Sequence, residues 1–237
     1  MQFDLDALKL DQQRIAAVYG RRSRDIPSDR YSSLNPGNLI NQQELEQAIC
    51  DAVRRYRIDL PSASIVEFGC GSGYWIRELI RLGAEPDNIT GIDLLPDRLQ
   101  VGRHLTPSGV TFMEEHAASC RLEDQSFDLA LQFTMFSSIL DPAIRTAAAK
   151  QMLRVTRPGG HIFWYDFFVD NPKNRDVVGI GRSELKKLFA PNPINLRRLT
   201  LLPPLARALG PKSRAIVRLL ASSNIFSTHY VAVVSKV

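Results

Sequence analysis

Three glycines at alternate positions, Gly69, Gly71 and Gly73, stand where an apolar run passes into a helical pattern, within the stretch IVEFGCGSGYW. Glycine permits the positive backbone angles of a tight turn and lets a ligand approach the backbone closely. The spacing differs from the GxGxxG of dinucleotide-binding turns, and Glu67 at the strand end would repel a pyrophosphate. The same carboxylate suits an ammonium group or a ribose hydroxyl.

A second acid, Asp93, follows this turn within GIDLLPDRL, at the end of the second predicted strand. A carboxylate at that place can accept hydrogen bonds from both hydroxyls of a ribose. A ligand with a ribose and a cationic group but no phosphate fits S-adenosylmethionine. The missing GxGxxG and Glu67 together disfavour a NAD-dependent dehydrogenase.

The motifs VEFGCGSG, GIDLLPDRL, FDLALQF and MLRVTRPGGHIFWYDF, in this order and spacing, resemble the class I S-adenosylmethionine-dependent methyltransferases. The resemblance implies an α/β, Rossmann-like sheet of seven strands in the order 3-2-1-4-5-7-6, with strand 7 antiparallel. It also implies that Gly69, Cys70, Gly71 and Gly73 line the methionine part of the cofactor. Asp93 would hold the ribose, and Leu94 would pack on the adenine. Further cofactor contacts are expected from Glu67, Trp75, His116, Ala117, Ala118, Gln132 and Phe133.

His116 departs from the pattern of this family, which often has an Asp touching the adenine amine at the corresponding position. We expect either that His116 substitutes through a ring nitrogen or that the contact passes to the backbone of Ala117 and Ala118.

The acceptor should bind at the carboxyl ends of the parallel strands, where ligands gather in open α/β sheets. Methyl transfer requires alignment of the acceptor and, for a hydroxyl, removal of a proton. The predicted proton acceptors or orienting residues are Tyr165, Asp166 and His229. For Asp166 the alternative is a brace of the following loop, and for His229 a hydrogen-bonded residue at a strand end. Substrate contacts are expected from Tyr19, Tyr31, Thr134, Phe136 and Arg207.

The alternation of strand-like and helix-like segments after residue 60 predicts the elements that position these residues. Strands are predicted at 64–68, 89–92, 110–114, 127–133, 160–167, 196–202 and 229–235, and helices at 4–19, 41–57, 73–82, 96–103, 142–155 and 183–190. We interpret residues 1–60 as an N-terminal helical cover or lid. Residues 61–237 form the predicted S-adenosylmethionine-binding domain, in a chain that is one domain overall.

The net charge of +5 among 237 residues conceals an asymmetry, because no acid follows Glu184. Nine basic residues occur there: Lys186, Lys187, Arg197, Arg198, Arg207, Lys212, Arg214, Arg218 and Lys236. Several of them lie in an amphipathic helical insert between strands 6 and 7. The insert is interpreted in three ways: it contacts an acceptor with an anionic group such as a phosphorylated or lipid-linked sugar, it contacts an anionic membrane, or it is a solvated cover.

The function predicted from these features is O-methylation of a small-molecule or glycan-pathway acceptor, by resemblance to bacterial enzymes of glycan or natural-product pathways. N- or S-methylation of a natural product, RNA-directed methylation and a non-catalytic regulator are the alternatives. Nucleic acid is not an expected partner, because the basic excess is confined to one quarter of the chain. The spacing of the three cysteines predicts no metal site. We expect a cytoplasmic monomer or homodimer, with membrane association as the alternative location.

Overall fold

The computed structural model describes residues 5–27, 29–172 and 174–237, and in them strands and helices alternate from Ile65 onward. The strands are β1 (Ile65–Phe68), β2 (Ile89–Asp93), β3 (Thr111–Glu114), β4 (Phe127–Phe133), β5 (Thr156–Phe167), β6 (Ile194–Leu201) and β7 (Ser227–Ser235). The helices are α1 (Leu5–Asp25), α2 (Pro36–Tyr56), α3 (Tyr74–Arg81), α4 (Pro96–Leu105), α5 (Pro142–Val155), α6 (Arg182–Phe189), α7 (Pro203–Leu209) and α8 (Arg214–Ser222).

These strands form one sheet in the order β3-β2-β1-β4-β5-β7-β6, which confirms the predicted topology. β1 to β5 run parallel, and β7 lies antiparallel between β5 and β6. The central parallel strands β1 and β4 are buried along most of their length because helices cover both faces of the sheet. Their carboxyl ends therefore meet at one edge.

α5 covers the predicted residues 142–155, but the strand that follows it begins earlier than predicted. The helix begins after its cap, Asp141, which accepts a hydrogen bond from the N–H of Ala143 at 2.7 Å. It ends at Val155, and the chain enters β5 directly at Thr156. The strand thus starts four residues earlier than predicted, because Thr156 already pairs with Phe127 before the register shifts.

Two hydrophobic clusters cover the faces of the sheet. One joins Leu8 of α1 to α5, α6 and buried aromatic residues such as Phe136 and Trp164. The other joins α2 and α3 to residues of β1, β4 and β7, among them Leu131. Both N-terminal helices thus pack on the α/β core, on opposite faces.

α1 and α2 are longer than predicted, and α2 is capped by Asn35, whose side chain accepts from the N–H of Gly37 at 2.9 Å. The insert between β6 and β7 is helical as expected, and a small cluster including Ile40, Leu201 and Val217 joins it to α2. Residues 1–4 and 28 of the predicted cover lie outside the described residues. The division of the chain at residue 60 stays a prediction.

Candidate functional site

A cavity of about 600 Å³, counting its open mouth, lies at the carboxyl ends of β1, β2 and β4. α1 covers one side of it with Asp11, Ile15 and Tyr19. The predicted site residues that the structure brings to its wall are Tyr19, Gly69, Asp93, Leu94, His116, Ala117, Phe133 and Thr134. The cavity therefore joins six of the thirteen expected cofactor positions to two of the five expected substrate positions.

The glycine turn holds Asp93 at the floor of this cavity. Gly69, Gly71 and Gly73 have φ of 69°, 54° and 71°, a conformation that other residues adopt at a cost in strain. The N–H of Gly71 donates to Asp93 Oδ2 at 2.8 Å, and the N–H of Leu95 donates to Oδ1 at 2.9 Å. These two bonds fix the carboxylate at the end of β2, where each oxygen can still accept from a ribose hydroxyl.

Behind the turn lie Glu67, Cys70 and Trp75, which do not line the cavity wall. Glu67 is 2% exposed, and burial, followed by the charge of Asp93, raises its pKa well above the usual value. The Cys70 side chain packs against Gly91, and the Trp75 ring stacks on Phe133 with centroids 4.7 Å apart. These residues support the turn from beneath, and their contact with a cofactor stays a prediction.

Gln132 and Ala118 require a correction, because their polar groups are used within the protein. The buried Gln132 donates through Nε2 to the carbonyl of Tyr165 at 3.1 Å and accepts from the N–H of Met135 at 3.0 Å. It ties the ends of β4 and β5 together. The N–H of Ala118 donates to Nδ1 of His116 at 3.0 Å. Neither residue is at the cavity wall.

The three predicted catalytic residues also lie away from the cavity, since all are packed inside the protein. The Asp166 carboxylate accepts from the N–H groups of Ser137 and Phe167, as in the alternative of a structural brace. The Tyr165 hydroxyl is 2.7 Å from the Thr200 hydroxyl. His229 stacks on Tyr165 with centroids 4.7 Å apart, and burial lowers its pKa to about 3. We therefore correct the prediction that these groups face the acceptor.

Three of the five predicted substrate residues are outside the cavity as well. Phe136 is fully buried and packs on Trp164 and Phe189. Tyr31 is 64% exposed, and Arg207 lies on α7 with its carbonyl accepting from Asn35. The structure corrects the prediction for Phe136, which is part of the core. Tyr31 is on the surface, and Arg207 is half-buried within the insert.

Three wall residues without a sequence prediction carry charge: Asp11, Arg98 and Glu115, whose carboxylate accepts from Arg121 at 2.8 Å. The Arg98 guanidinium lies 4.8 Å from the centre of the Tyr19 ring. Asp11, Ile15 and Tyr19 follow each other at intervals of four, so they share one face of α1. That spacing, combined with the prediction for Tyr19, was the signal that could have found Asp11.

Comparison with known proteins agrees with this geometry. Residues 65–160 match the family model described as "Methyltransferase domain". Over 114 residues the chain is 33% identical to the ubiquinone biosynthesis O-methyltransferase of Xanthomonas oryzae pv. oryzae, covering 45% of this chain and 44% of the relative. The chain thus spans about half the length of the curated relatives it matches.

Among solved structures, an S-adenosylmethionine-dependent methyltransferase of Methanosarcina mazei superposes with a TM-score of 0.58 at 19% identity, covering 78% of this chain and 97% of that one. The [4+2]-cyclase SpnF superposes with a TM-score of 0.60 at 18% identity, covering 82% of each chain. At these identities the likeness concerns the fold alone, and the same fold is found in a cyclase.

The match over residues 65–160 agrees with the resemblance to the class I methyltransferases, a family whose cofactor is S-adenosylmethionine. The residues present fit this group. Of the three glycines with positive φ, Gly69 lies at the cavity wall beside the braced Asp93, which presents oxygens to a ribose. Gly71 and Gly73 pack against Arg98 and Phe112 instead, and their contact with the cofactor stays a prediction. At the same wall, Leu94 and Ala117 offer apolar surface for a flat ring.

Proposed function

We propose that this protein is an S-adenosylmethionine-dependent methyltransferase that methylates an oxygen of a small-molecule acceptor. The observation that carries the proposal is the cavity in which Gly69 and Asp93 meet the end of β4. The name of the curated relatives supports oxygen as the accepting atom. When bound, S-adenosylmethionine supplies a methyl group on a sulfonium, already activated for in-line displacement.

Thr134 is the residue that we assign to positioning the acceptor. Its φ is 56°, a strained value for a β-branched residue, and such strain concentrates at functional sites. Its N–H donates to the carbonyl of Tyr165 at 2.8 Å, and its hydroxyl donates to the carbonyl of Phe133 at 2.8 Å. These bonds hold the turn after β4 against the cavity, opposite Tyr19 of α1.

For the acceptor we propose a glycan or natural-product precursor that has an anionic group. The support is Arg98, which is half-buried at the cavity wall beside Gly71. Within the part of the chain that the structure describes, Arg98 forms no ion pair. A carboxylate or phosphate of the acceptor would give this guanidinium a partner. N- or S-methylation stays the alternative, since the wall residues do not select the accepting atom.

We further propose that the insert contacts an anionic membrane face, from which a lipid-linked acceptor could enter. Its surface exposes apolar side chains at Ile216 (49%), Leu219 (71%), Ile225 (72%) and Phe226 (47%). Lys212, Arg214 and Arg218 are exposed in the same segment. We call these seven residues the apolar-basic patch. Apolar residues flanked by cations are the pattern that binds anionic bilayers from the side. In the described part of the chain, no helix is long and apolar enough to span a bilayer.

The experiment that tests the proposed function is calorimetric titration with S-adenosylmethionine and, separately, with NAD. We expect micromolar binding of the first and none of the second. Transfer of a labelled methyl group to a panel of anionic sugars and small phenols then identifies the acceptor class. Binding of NAD, or of neither compound, would contradict the proposal.

Asp93→Ala tests the ribose assignment within the same titration. We expect the affinity for S-adenosylmethionine to fall by about 1–3 kcal/mol, because the ribose loses its acceptor. Asp97→Ala, which removes an exposed acid from the first turn of α4, is the control and should leave the affinity unchanged. Equal affinities of the two variants would refute the role of Asp93.

A further inference from the structure

Among the residues that the structure describes, two buried polar atoms at the cavity wall have no hydrogen-bond partner, Asp11 Oδ2 and His116 Nε2. The two side chains are 5% and 10% exposed, and the two atoms lie 3.7 Å apart. That distance exceeds the range of a hydrogen bond, so the atoms do not satisfy each other. A buried carboxylate oxygen without a partner costs free energy, and a ligand in the cavity would recover it.

The neighbours of this pair fix which atom accepts and which donates. Arg14 donates to Asp11 Oδ1 at 2.9 Å and also to the carbonyl of Ser138, which leaves Oδ2 as the free acceptor. Nδ1 of His116 accepts from the N–H of Ala118 at 3.0 Å, so the ring proton is on Nε2. The cavity therefore presents an acceptor beside a donor.

We propose that Asp11 and His116 together recognise the adenine of the cofactor, an inference that rests on the proposed function. Adenine carries an amine donor next to the ring acceptor N1, the complement of this pair. Oδ2 of Asp11 accepts from the exocyclic amine, and Nε2–H of His116 donates to N1. Ile15, Leu94 and Ala117 at the same wall provide apolar contacts for the ring.

In this arrangement, the acid that accepts the hydrogen bond from the adenine amine lies on the N-terminal helix α1 and not at the sheet. Position 116, two residues after the end of β3, holds a histidine, and the carboxylate comes from α1 instead. Adenine recognition then requires that α1 is docked over the cavity. Hypoxanthine has an oxygen in place of the amine and a proton on N1. It therefore places an acceptor opposite the Asp11 carboxylate and a donor opposite Nε2–H of His116, so neither hydrogen bond forms.

Binding of S-adenosylhomocysteine and of its hypoxanthine counterpart, S-inosylhomocysteine, tests the proposal without any methyl transfer. We expect the wild-type protein to prefer the adenine compound by about 100-fold. In Asp11→Asn, Arg14 still bonds to the amide oxygen, so the amide NH2 replaces Oδ2. This amide NH2 is a donor, so it faces the adenine amine without a hydrogen bond but can donate to the hypoxanthine oxygen. The affinities of this variant for the adenine and hypoxanthine compounds should then differ by no more than about tenfold.

Asp25→Asn is the matched control, because it removes the same charge from the exposed end of α1 and should keep the 100-fold preference. If a variant folds incompletely, its apparent affinity falls by the same factor for both ligands. The ratio of the two affinities is therefore unchanged by a loss of folded protein. His116→Phe, which keeps a ring but lacks Nε2–H, is a second variant, and its preference should fall about tenfold.

The outcomes separate the two proposals. If the wild-type protein binds neither compound, the proposed function fails. If it binds both but Asp11→Asn and His116→Phe keep the full preference, the proposed function stands and the assignment of Asp11 and His116 is overturned.

Discussion

At the scale of single residues, the Asp166 carboxylate shows what burial does to an ionisable group. It is fully buried, and its oxygens accept from the N–H groups of Ser137 and Phe167 at 2.9 and 2.8 Å. Burial raises its pKa from 3.8 to about 7 despite these bonds. The folded protein therefore holds this proton more tightly than the unfolded chain does. The resulting stabilisation is complete below pH 4 and is lost as the pH rises through 7.

The pH dependence of unfolding measures this effect. Between pH 5 and 7, Asp166 should lower the free energy of unfolding of the wild-type protein by about 1.4 kcal/mol per pH unit. Asp166→Asn has no carboxyl to titrate at this position. The difference in the free energy of unfolding between the wild-type protein and Asp166→Asn, measured in urea, should therefore change with pH at that slope. Asp29→Asn, an exposed acid, is the control. Parallel curves for the wild-type protein and Asp166→Asn would show that the carboxyl does not titrate in this range.

At the scale of elements, the start of α2 lies directly against α7 of the insert. A Cβ atom at Gly37 would lie 2.0 Å from the carbonyl oxygen of Ala206, and one at Gly210 would lie 2.3 Å from the backbone nitrogen of Gly37. Two glycines therefore allow the backbones to touch. This contact links the N-terminal cover to the insert, so the two elements above the sheet are packed as a unit.

Substitution of Gly37 tests the importance of this contact. Gly37→Ala should lower the free energy of unfolding by about 1–3 kcal/mol, because a backbone carbonyl blocks the added methyl group. Gly20→Ala is the control: a Cβ there meets nothing within 4 Å, and the change should stabilise α1 by about 0.5–1 kcal/mol. Thermal and urea unfolding measure both. Equal stabilisation by the two substitutions would refute close packing at Gly37.

At the scale of the whole molecule, the charge is distributed unevenly along the sheet. The acid-free C-terminal segment forms β6, the insert and β7 at one edge, and β3 lies at the other. The apolar-basic patch belongs to the first edge. An anionic surface would therefore attract the molecule in one orientation, with the insert foremost.

Sedimentation with lipid vesicles tests this orientation. The protein should bind phosphatidylglycerol vesicles in preference to phosphatidylcholine vesicles, and less at high salt, because exposed charges are screened. Leu219→Glu should weaken the binding about tenfold or more. Val101→Glu makes a similar change at a 48% exposed residue on α4, near the opposite edge, and should have no effect. Equal effects of the two variants, or no preference for anionic lipid, would contradict the proposal.

The sequence by itself determined the topology, the glycine turn and the place of Asp93. Each depends on local features, namely the periodicity of apolar residues, the positive φ at Gly69 and Gly71, and the motif order shared with a known family. Only the tertiary structure decided which polar residues near the carboxyl edge face the cavity. Asp166 and His229 lie at the correct strand ends but turn inward, where neighbouring strands and rings enclose them. Asp11 enters the site because α1 docks across a sheet that is distant in sequence, and no local pattern encodes such packing.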